Sequence, residues 1–394
     1  MGMKRRTSNL QRWGICVGFF LVCAFIAPAQ AAEELTIEKV GQAERIPIAL
    51  QGFEGEVLQV LRFDLEIVGF RIVEPGEAQY WLRGRYQNHL EAWLQDQLAQ
   101  QTLLARAYKG GTPRQQAHAL ADDVVKKILG IPGIAQTKIA FRRNQNGISE
   151  IYVADYDGHN PIQITHDHTI NAAPAWVPGR PAVYYVTYRY GNPDIVLHDL
   201  RTGQRRFIAR YSGSNISPAP SPDGQKVAMI LSKAGSPDLY VADWDGSHLV
   251  QLTHTPVDEA SPTWSPDGKQ ICFSTRIASR RTLAVISASG GKIRRLITAG
   301  VLNPTEPDWS PDGRWIAFTS QMGEFLICII PATGGEARIL TAGEDPVWGP
   351  NSRTLLYVRR VHGRRQLSLL DVFTKERKDV ASNLGDCSQP TWAR

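Results

Sequence analysis

The feature that most constrains the fold of this chain is an internal repeat. A proline followed two residues later by tryptophan or proline recurs six times, at spacings of 39 to 45 residues. Behind each of the first five prolines comes a turn such as Pro-Asp-Gly, and then three apolar segments separated by polar loops and turns. Four short strands every ~40–45 residues is the spacing of β-propeller blades. The prolines are Pro174, Pro218, Pro262, Pro307, Pro346 and Pro390.

The repeat is incomplete at both of its ends. Before Pro174, "TKIAFRRN", "EIYVADYDG" and "NPIQIT" match the second, third and fourth strands of a unit, with no first strand ahead of them. The segment "PTWAR" (Pro390–Arg394) matches a first strand. We therefore predict an all-β six-bladed propeller over residues 137–394, in which the C-terminal strand completes blade 1. Such closure removes a free strand edge from the ring.

The tryptophans of the repeat have two interpretations. The simpler one is that they are wedges between neighbouring blades, and the alternative is an aromatic cage around a ligand. They are Trp176, Trp264, Trp309, Trp348 and Trp392.

The N-terminus has the pattern of an export signal. Four basic residues precede or border the apolar run "WGICVGFFLVCAFIA", and "AQA" supplies small residues for cleavage, so we predict a signal peptide over residues 1–31. An uncleaved anchor is the alternative, but the apolar run is shorter than the ~20 residues of a membrane span. Removal of this segment lowers the net charge from +6 to about +2, so the basic pI does not indicate nucleic-acid binding. Three cysteines remain after this cleavage, and we expect them to be buried thiols.

Residues 32–136 lie outside the repeat and predict a small α/β domain. "ELTIEKV", "RIPIALQGF" and "FRIVE" favour strands, and residues 54–69 favour an amphipathic helix. A second helix is expected from Thr112 as N-cap, with Pro113 in the first turn and Gly130 as its end. The stretch "HLEAWLQDQLAQQTLLARAYKGG" scores as helix, but we interpret it as two strands around a turn at residues 98–101.

The domain order and the junction "ILGIPGIAQTKIAFRRN…YVADYDGHNPIQIT" resemble the TolB family of the Tol–Pal system. The resemblance implies a non-enzymatic periplasmic scaffold, a monomer without cofactor, that supports outer-membrane integrity and cell division. It implies binding to the peptidoglycan-associated lipoprotein Pal through one propeller face, with candidate contacts at Ser214, Ser217, Glu259, Ala260 and Glu306. It also implies binding to the inner-membrane protein TolA through the mature N-terminus, with candidates Glu33, Glu34, Leu35, Thr36 and Ile37.

The loops that precede the first strands, and those between second and third strands, are expected on one face of a propeller. The first set is short and polar, which suits binding of a peptide or a protein loop. The second set is basic in two blades, which either attracts an acidic partner or forms a solvated rim. The basic residues are Arg276, Arg280, Arg281, Arg359, Arg360, His362, Arg364 and Arg365.

A propeller enzyme, or a ligand or metal binder with its site in the central channel, is the alternative function. His166 and His168 in "THDHT" could start a metal site, but spacing indicates no third ligand. The sequence contains no G-x-S-x-G elbow, phosphate loop or cysteine–histidine zinc pattern. We therefore expect no catalytic residues, no metal and no cofactor.

Overall fold

A computed structural model describes residues 43–381 and 384–394. The predicted signal peptide, the strand "ELTIEKV" and the candidate TolA segment therefore lie outside the described residues. Within the described ranges, no helix combines the length and apolarity needed to cross a membrane.

Within the described residues, the N-terminal α/β domain contains the predicted helices and strands and one further strand that was not predicted. The predicted helices and the two strands around residues 97–100 are all present. The missed strand is β3, in which arginine alternates with apolar residues. The elements are β1 (Ile46–Gln51), α1 (Gly55–Glu66), β2 (Phe70–Ile72), a short 3₁₀ turn (Pro75–Glu77), β3 (Tyr80–Tyr86), β4 (Leu90–Asp96), β5 (Gln101–Tyr108) and α2 (Pro113–Leu129).

Helix α2 begins and ends where its capping residues require. The Thr112 hydroxyl accepts from the Gln115 backbone N–H at 3.2 Å, and the Gln115 side chain accepts from the Thr112 N–H at 2.9 Å. This reciprocal pair satisfies two N–H groups that the first helical turn leaves free. At the other end Gly130 takes a left-handed φ of 70°, which glycine adopts without steric cost. Both helices pack on one face of the sheet, whose order is β2-β1-β3-β4-β5.

The propeller has the six predicted blades, each a four-stranded antiparallel sheet. Blade 1 is formed by Asp386–Trp392, Lys138–Gln145, Ile148–Asp155 and Ile162–Gln163. Blade 2 is formed by Asn171–Trp176, Ala182–Tyr190, Asn192–Asp199 and Arg205–Ala209. Blade 3 is formed by Asn215–Pro220, Lys226–Leu231, Asp238–Asp243 and Val250–Gln251.

The remaining blades follow the same order from the channel outward. Blade 4 is formed by Ala260–Trp264, Gln270–Ile277, Arg280–Ser287 and Arg294–Leu296. Blade 5 is formed by Pro304–Trp309, Trp315–Met322, Glu324–Pro331 and Arg338–Ala342. Blade 6 is formed by Glu344–Trp348, Thr354–Val361, Arg364–Asp371 and Arg377–Asp379. A short parallel ladder joins Thr298–Ala299 to Gly335–Glu336.

Apolar side chains between the blades form the core. Trp264 of blade 4 packs with Ile230 and Leu239 of blade 3, and its indole N–H donates to the Ala219 carbonyl at 2.8 Å. The wedge interpretation therefore holds for this tryptophan. The three cysteines are buried free thiols, as expected, within apolar surroundings.

The predicted closure of the ring is confirmed by the C-terminal strand. Residues Asp386–Trp392 pair antiparallel with Lys138–Gln145, so the end of the chain becomes the first strand of blade 1. Trp392 is buried, and its indole N–H donates to Thr137 Oγ1 at 2.7 Å. Arg394 forms an ion pair with Asp308 of blade 5 and donates to the Trp348 carbonyl of blade 6 at 3.1 Å.

The α/β domain contacts the propeller at blades 1 and 6. Asp64 of α1 is buried, accepts from the Tyr156 hydroxyl of blade 1, and lies 2.7 Å from His118 Nδ1 of α2. Gly69 has φ 98°, and a Cβ there would collide with the Arg353 guanidinium of blade 6. The two domains share one apolar cluster that includes Trp392.

We predict that deletion of residues 390–394 lowers the stability of the whole propeller. The deletion removes Trp392 from the core, and burial of a tryptophan contributes about 3–5 kcal/mol. The melting temperature and the urea midpoint of the truncated protein measure the loss.

The control for this deletion is Arg394→Ala, which keeps Trp392 and removes only the partly exposed contacts of Arg394. We expect it to cost less than about 1 kcal/mol. An unchanged melting temperature in the truncated protein would show that the ring does not depend on this strand.

Candidate partner-binding face

The two faces of the propeller differ in what covers them. The α/β domain packs against turns between first and second strands and between third and fourth strands, as the contacts of Arg353 and Tyr156 show. Because strands alternate in direction, the loops between second and third strands, and those leading into each first strand, lie on the opposite face. We call this the mouth face. In the described residues, no element of the α/β domain contacts it.

Large apolar side chains are exposed around the mouth face. They lie at the tips of the hairpins of blades 1, 2, 4 and 5, or in the loops before the first strands. Of the twelve exposed large apolar side chains in the described part of the propeller, seven lie on this face, and such a concentration is characteristic of interaction surfaces. They are Ile148, Ile170, Tyr188, Tyr190, Ile277, Leu302 and Met322, exposed by 39% to 59%.

The basic residues predicted on this face have two different roles. Arg359 and Arg365 form ion pairs within the protein, with Asp379 at 2.7 Å and Asp386 at 3.1 Å. Arg276, Arg280 and Arg364 are exposed and have no carboxylate within 4.0 Å among the described residues. The segments lie in strands joined by tight turns, rather than in the loops that the sequence suggested. The basic character of blade 6 is therefore partly neutralised within the fold.

A channel of about 510 Å³ runs along the propeller axis and is lined by the first strands. In every blade the residue before the repeated proline takes a left-handed φ of 45° to 55°, and the strand pairing shifts at the same place. This is a β-bulge, which redirects a side chain. All six of these residues line the channel: Ala173, Ser217, Ser261, Glu306, Asp345 and Gln389.

Three of these side chains link neighbouring blades. Glu306 Oε2 accepts from the backbone N–H of Asp345 at 3.2 Å, and Asp345 Oδ2 accepts from the N–H of Gln389 at 3.0 Å. Gln389 Oε1 then accepts from the N–H of Ala173 at 2.9 Å. The chain of bonds spans blades 5, 6, 1 and 2. Blades 2, 3 and 4 contribute only Ala173, Ser217 and Ser261 at this level, so this half of the channel has small side chains and is the more open half.

The acid pair in the channel has a structural role. Burial raises the pKa of Asp345 well above its usual range, and the negative charge of Glu306 raises it further. Thr319 Oγ1 donates to Glu306 Oε2 at 2.6 Å, and the same oxygen accepts from Asp345 N–H. The two carboxyl groups therefore hold blade-to-blade contacts.

The five predicted Pal contacts occupy three different environments. Ser217 and Glu306 line the channel. Ser214 and Ala260 lie half-buried on the mouth side of their blades, and the Ser214 N–H donates to Ser232 Oγ at 2.7 Å. Glu259 is buried, with 2% of its surface exposed, whereas its polar loop predicts a solvent-exposed residue. Residues 33–37 lie outside the described ranges.

Glu259 is held by hydroxyl donors under the mouth face. Thr253 Oγ1 and Thr255 Oγ1 donate to its carboxylate at 2.8 Å and 2.7 Å. Burial raises the pKa of Glu259 to about 7; the two threonine hydrogen bonds lower it, and nearby Asp238 raises it. A partner cannot reach this carboxylate without rearrangement of the loop.

The histidine pair is exposed and does not form part of a larger cluster. His166 and His168 flank Asp167, whose carboxylate binds Arg189 at 3.0 Å and Arg205 at 2.8 Å. No group of three or more His, Cys, Asp or Glu side chains within residues 43–381 and 384–394 is arranged to hold a metal ion.

Comparison with known sequences identifies the family. Residues 125–394, more than half of the chain, match the TolB β-propeller domain family. The chain belongs to this TolB family. A TolB protein of the Tol–Pal system from Desulfosudis oleivorans is 33% identical over 132 residues, which is 33% of this chain and 30% of the relative. One from Haemophilus ducreyi is 40% identical over 104 residues, 26% of this chain and 24% of the relative. These alignments span less than a third of either relative.

One solved structure shares the architecture over nearly the whole length, and another shares part of it. TolB from Acinetobacter baumannii has a TM-score of 0.81 at 23% identity, covering 90% of this TolB-family chain and 98% of that protein. Kuenenia stuttgartiensis hydrazine synthase matches with a TM-score of 0.55 at 13% identity, over 67% of this chain and 47% of that one. Propellers of this kind thus occur in an enzyme as well, and the fold alone does not specify function.

We predict that Glu259→Gln makes this TolB-family protein less sensitive to rising pH. A carboxyl group whose folded-state pKa exceeds its ordinary 4.5 stabilises the fold at low pH, and that stabilisation is lost as the pH rises from about 4.5 through 7. From this pKa we expect a wild-type loss of roughly 2–3 kcal/mol between pH 5 and pH 8.

Urea denaturation at pH 5 and pH 8 measures the difference. The glutamine variant should lose less stability over this interval than the wild type. Parallel pH curves for the two proteins would contradict the assignment of this titration to Glu259.

Proposed function

We propose that this protein is a non-enzymatic periplasmic scaffold of the Tol–Pal system. In this proposal the mouth face binds the organism's own Pal, and the N-terminal segment that includes Glu33 to Ile37 binds a TolA-type inner-membrane protein. The protein acts as a monomer without cofactor and supports outer-membrane integrity and cell division. Family membership and the Tol–Pal names of its relatives support this assignment.

The observation that carries the proposal is the composition of the mouth face. Exposed apolar side chains of four blades lie on the face at which the channel opens, and at the level of the bulges three blades present only small side chains to the channel. The apolar side chains can bury the body of a partner, while the channel admits a protruding loop. Exposed tyrosines and arginines, the residue types enriched at interface hot spots, are present on the hairpin tips of blades 2 and 4.

The polar groups of the channel support binding rather than catalysis. Glu306 and Asp345 are engaged in blade-to-blade hydrogen bonds. A carboxyl group that acts as a catalytic acid or base would instead have to be free to reach a substrate. The buried thiols are equally unsuited, since burial raises the pKa of Cys272 and Cys328.

We expect the double substitution Tyr190→Asp/Ile277→Asp to weaken Pal binding. Both side chains are exposed on the mouth face, at 50% and 40%, and buried unpaired carboxylates in an interface oppose association. The expected loss is at least about tenfold in Kd, measured by calorimetry with the soluble domain of the organism's own Pal.

The matched control is Ile162→Asp/Val250→Asp. These residues are 63% and 56% exposed but lie on the outermost strands of blades 1 and 3, away from the mouth face. The control makes the same change in charge and should bind Pal like the wild type. Equal Pal binding by the wild type, the mouth-face variant and the control would show that the mouth face is not the Pal site. Absence of Pal binding by the wild type would contradict the proposed function.

A further inference from the structure

A cluster of polar atoms without partners lies where blade 1 meets the channel mouth. In the described residues, Arg142 Nε, Asn144 Oδ1 and Ser388 Oγ are buried and have no hydrogen-bond partner. Arg142 is directly opposite Ser388 in the strand pairing, and Asn144 is opposite Asp386. Opposed residues of an antiparallel pair point to the same face of the sheet, with Cβ atoms ~5 Å apart. The three atoms therefore share one side of blade 1.

This side of blade 1 faces blade 2 near the channel mouth. The side chain of Ile151, directly opposite Arg142, packs against Tyr185 and Val196 of blade 2. Ser388 immediately precedes Gln389, whose side chain lines the channel. Another buried orphan, Asn171 Oδ1, lies at the start of the first strand of blade 2. Unpaired buried polar groups are rare in folded proteins, so three on one side of a single blade form a candidate binding site.

Arg142 has no carboxylate of its own. No acidic side chain lies within 4.0 Å of its guanidinium among the described residues. The nearest candidate on the same face, Asp386, is fully engaged: Arg365 donates to it from its backbone at 3.0 Å and from its side chain at 3.1 Å, and Asn144 donates at 3.2 Å.

The acidic groups near Arg142 are engaged by other residues. The Arg365 hydrogen bonds lower the pKa of Asp386 to about 2, so its single charge is matched by Arg365. The pKa of Asp345 is raised by burial, which favours its neutral form, and Glu344 lies 3.7 Å from Arg360. Burial lowers the pKa of Arg142, and the charge of Arg365 lowers it further, but an arginine stays protonated at neutral pH.

We propose that Arg142 anchors an anion-binding subsite at the channel mouth, which accepts an aspartate or glutamate carboxylate from the segment that a bound partner inserts there. The Ser388 hydroxyl and the Asn144 carbonyl oxygen are buried beside it, and they serve as a second donor and as an acceptor for a backbone N–H when the Arg142 side chain moves to admit that segment. The subsite rests on the proposed function of the mouth face. It adds that the segment inserted by the partner carries an acidic side chain. An arginine with a free guanidinium edge suits a carboxylate because it presents parallel donors.

The first test compares two arginine variants for binding to the soluble domain of the organism's own Pal. Arg142→Gln should raise the Kd at least about tenfold, because it leaves a partner carboxylate unpaired. The control Arg295→Gln, exposed on the outermost strand of blade 4 and away from the mouth face, makes the same charge change and should raise it less than about threefold. Equal effects of the two variants would overturn the subsite while leaving the proposed function in place.

A second test does not depend on Pal. Titration of the purified protein with sodium acetate, against chloride at constant ionic strength, is followed through the arginine Nε–Hε resonances in NMR spectra. We expect a saturable shift of one resonance that is absent from the Arg142→Gln spectrum and retained in that of Arg295→Gln. A flat titration would overturn the subsite. A saturable shift in a protein that does not bind Pal would uphold the subsite and overturn the proposed function.

The correct folding of Arg142→Gln is checked by its urea midpoint. Arg142→Lys provides a further distinction, because lysine keeps the charge but offers no planar pair of donors. We expect it to recover part of the Pal affinity. Full recovery would show that the site recognises charge without the paired geometry, which would overturn the assigned role of the guanidinium edge.

Discussion

The rest of the structure depends on the contacts made by the buried side chain of Trp392. Its indole donates to Thr137 at the start of the propeller and stacks near Tyr156, whose hydroxyl reaches Asp64 in the α/β domain. One side chain at the end of the chain therefore joins the closing strand, blade 1 and the front domain. Because the apolar cluster around it is continuous across both domains, we expect the seam and the domain interface to lose stability together.

The closed ring also determines the asymmetry of the channel. The same bulge occurs in all six first strands, so the backbone presents six equivalent positions to the axis. The residue at each position decides whether that side chain binds the next blade or leaves space. Glu306, Asp345 and Gln389 bind their neighbours across blades 5, 6, 1 and 2, while Ala173, Ser217 and Ser261 leave the other half open. The repeated sequence forms the propeller, and the residues that differ between repeats give the channel its two different halves.

Much of the fold could be predicted because its signals are local and repeated. The spacing of the prolines indicated six blades, the orphan first strand indicated closure, and Thr112 and Gly130 marked the ends of a helix. The burial of Glu259 could not be read from its polar loop, since Thr253 and Thr255 approach it only in the folded blade. The unpaired state of Arg142 could not be predicted from the sequence either, because it depends on Asp386 being bound to Arg365. Strand β3 was missed because arginines interrupt its apolar pattern.

The position of the closing strand has a consequence for the order in which the protein is made and folds. Blade 1 takes its second to fourth strands from residues 138–163 and its first from residues 386–392. Blade 1 therefore keeps an unpaired strand edge until residues 386–392, which follow the other five blades in sequence, pair with it. Long-range pairing of this kind slows folding and exposes edges that aggregate. Blades 2 to 6 can form from strands that are close in sequence, whereas blade 1 is the blade whose completion depends on the most distant pairing.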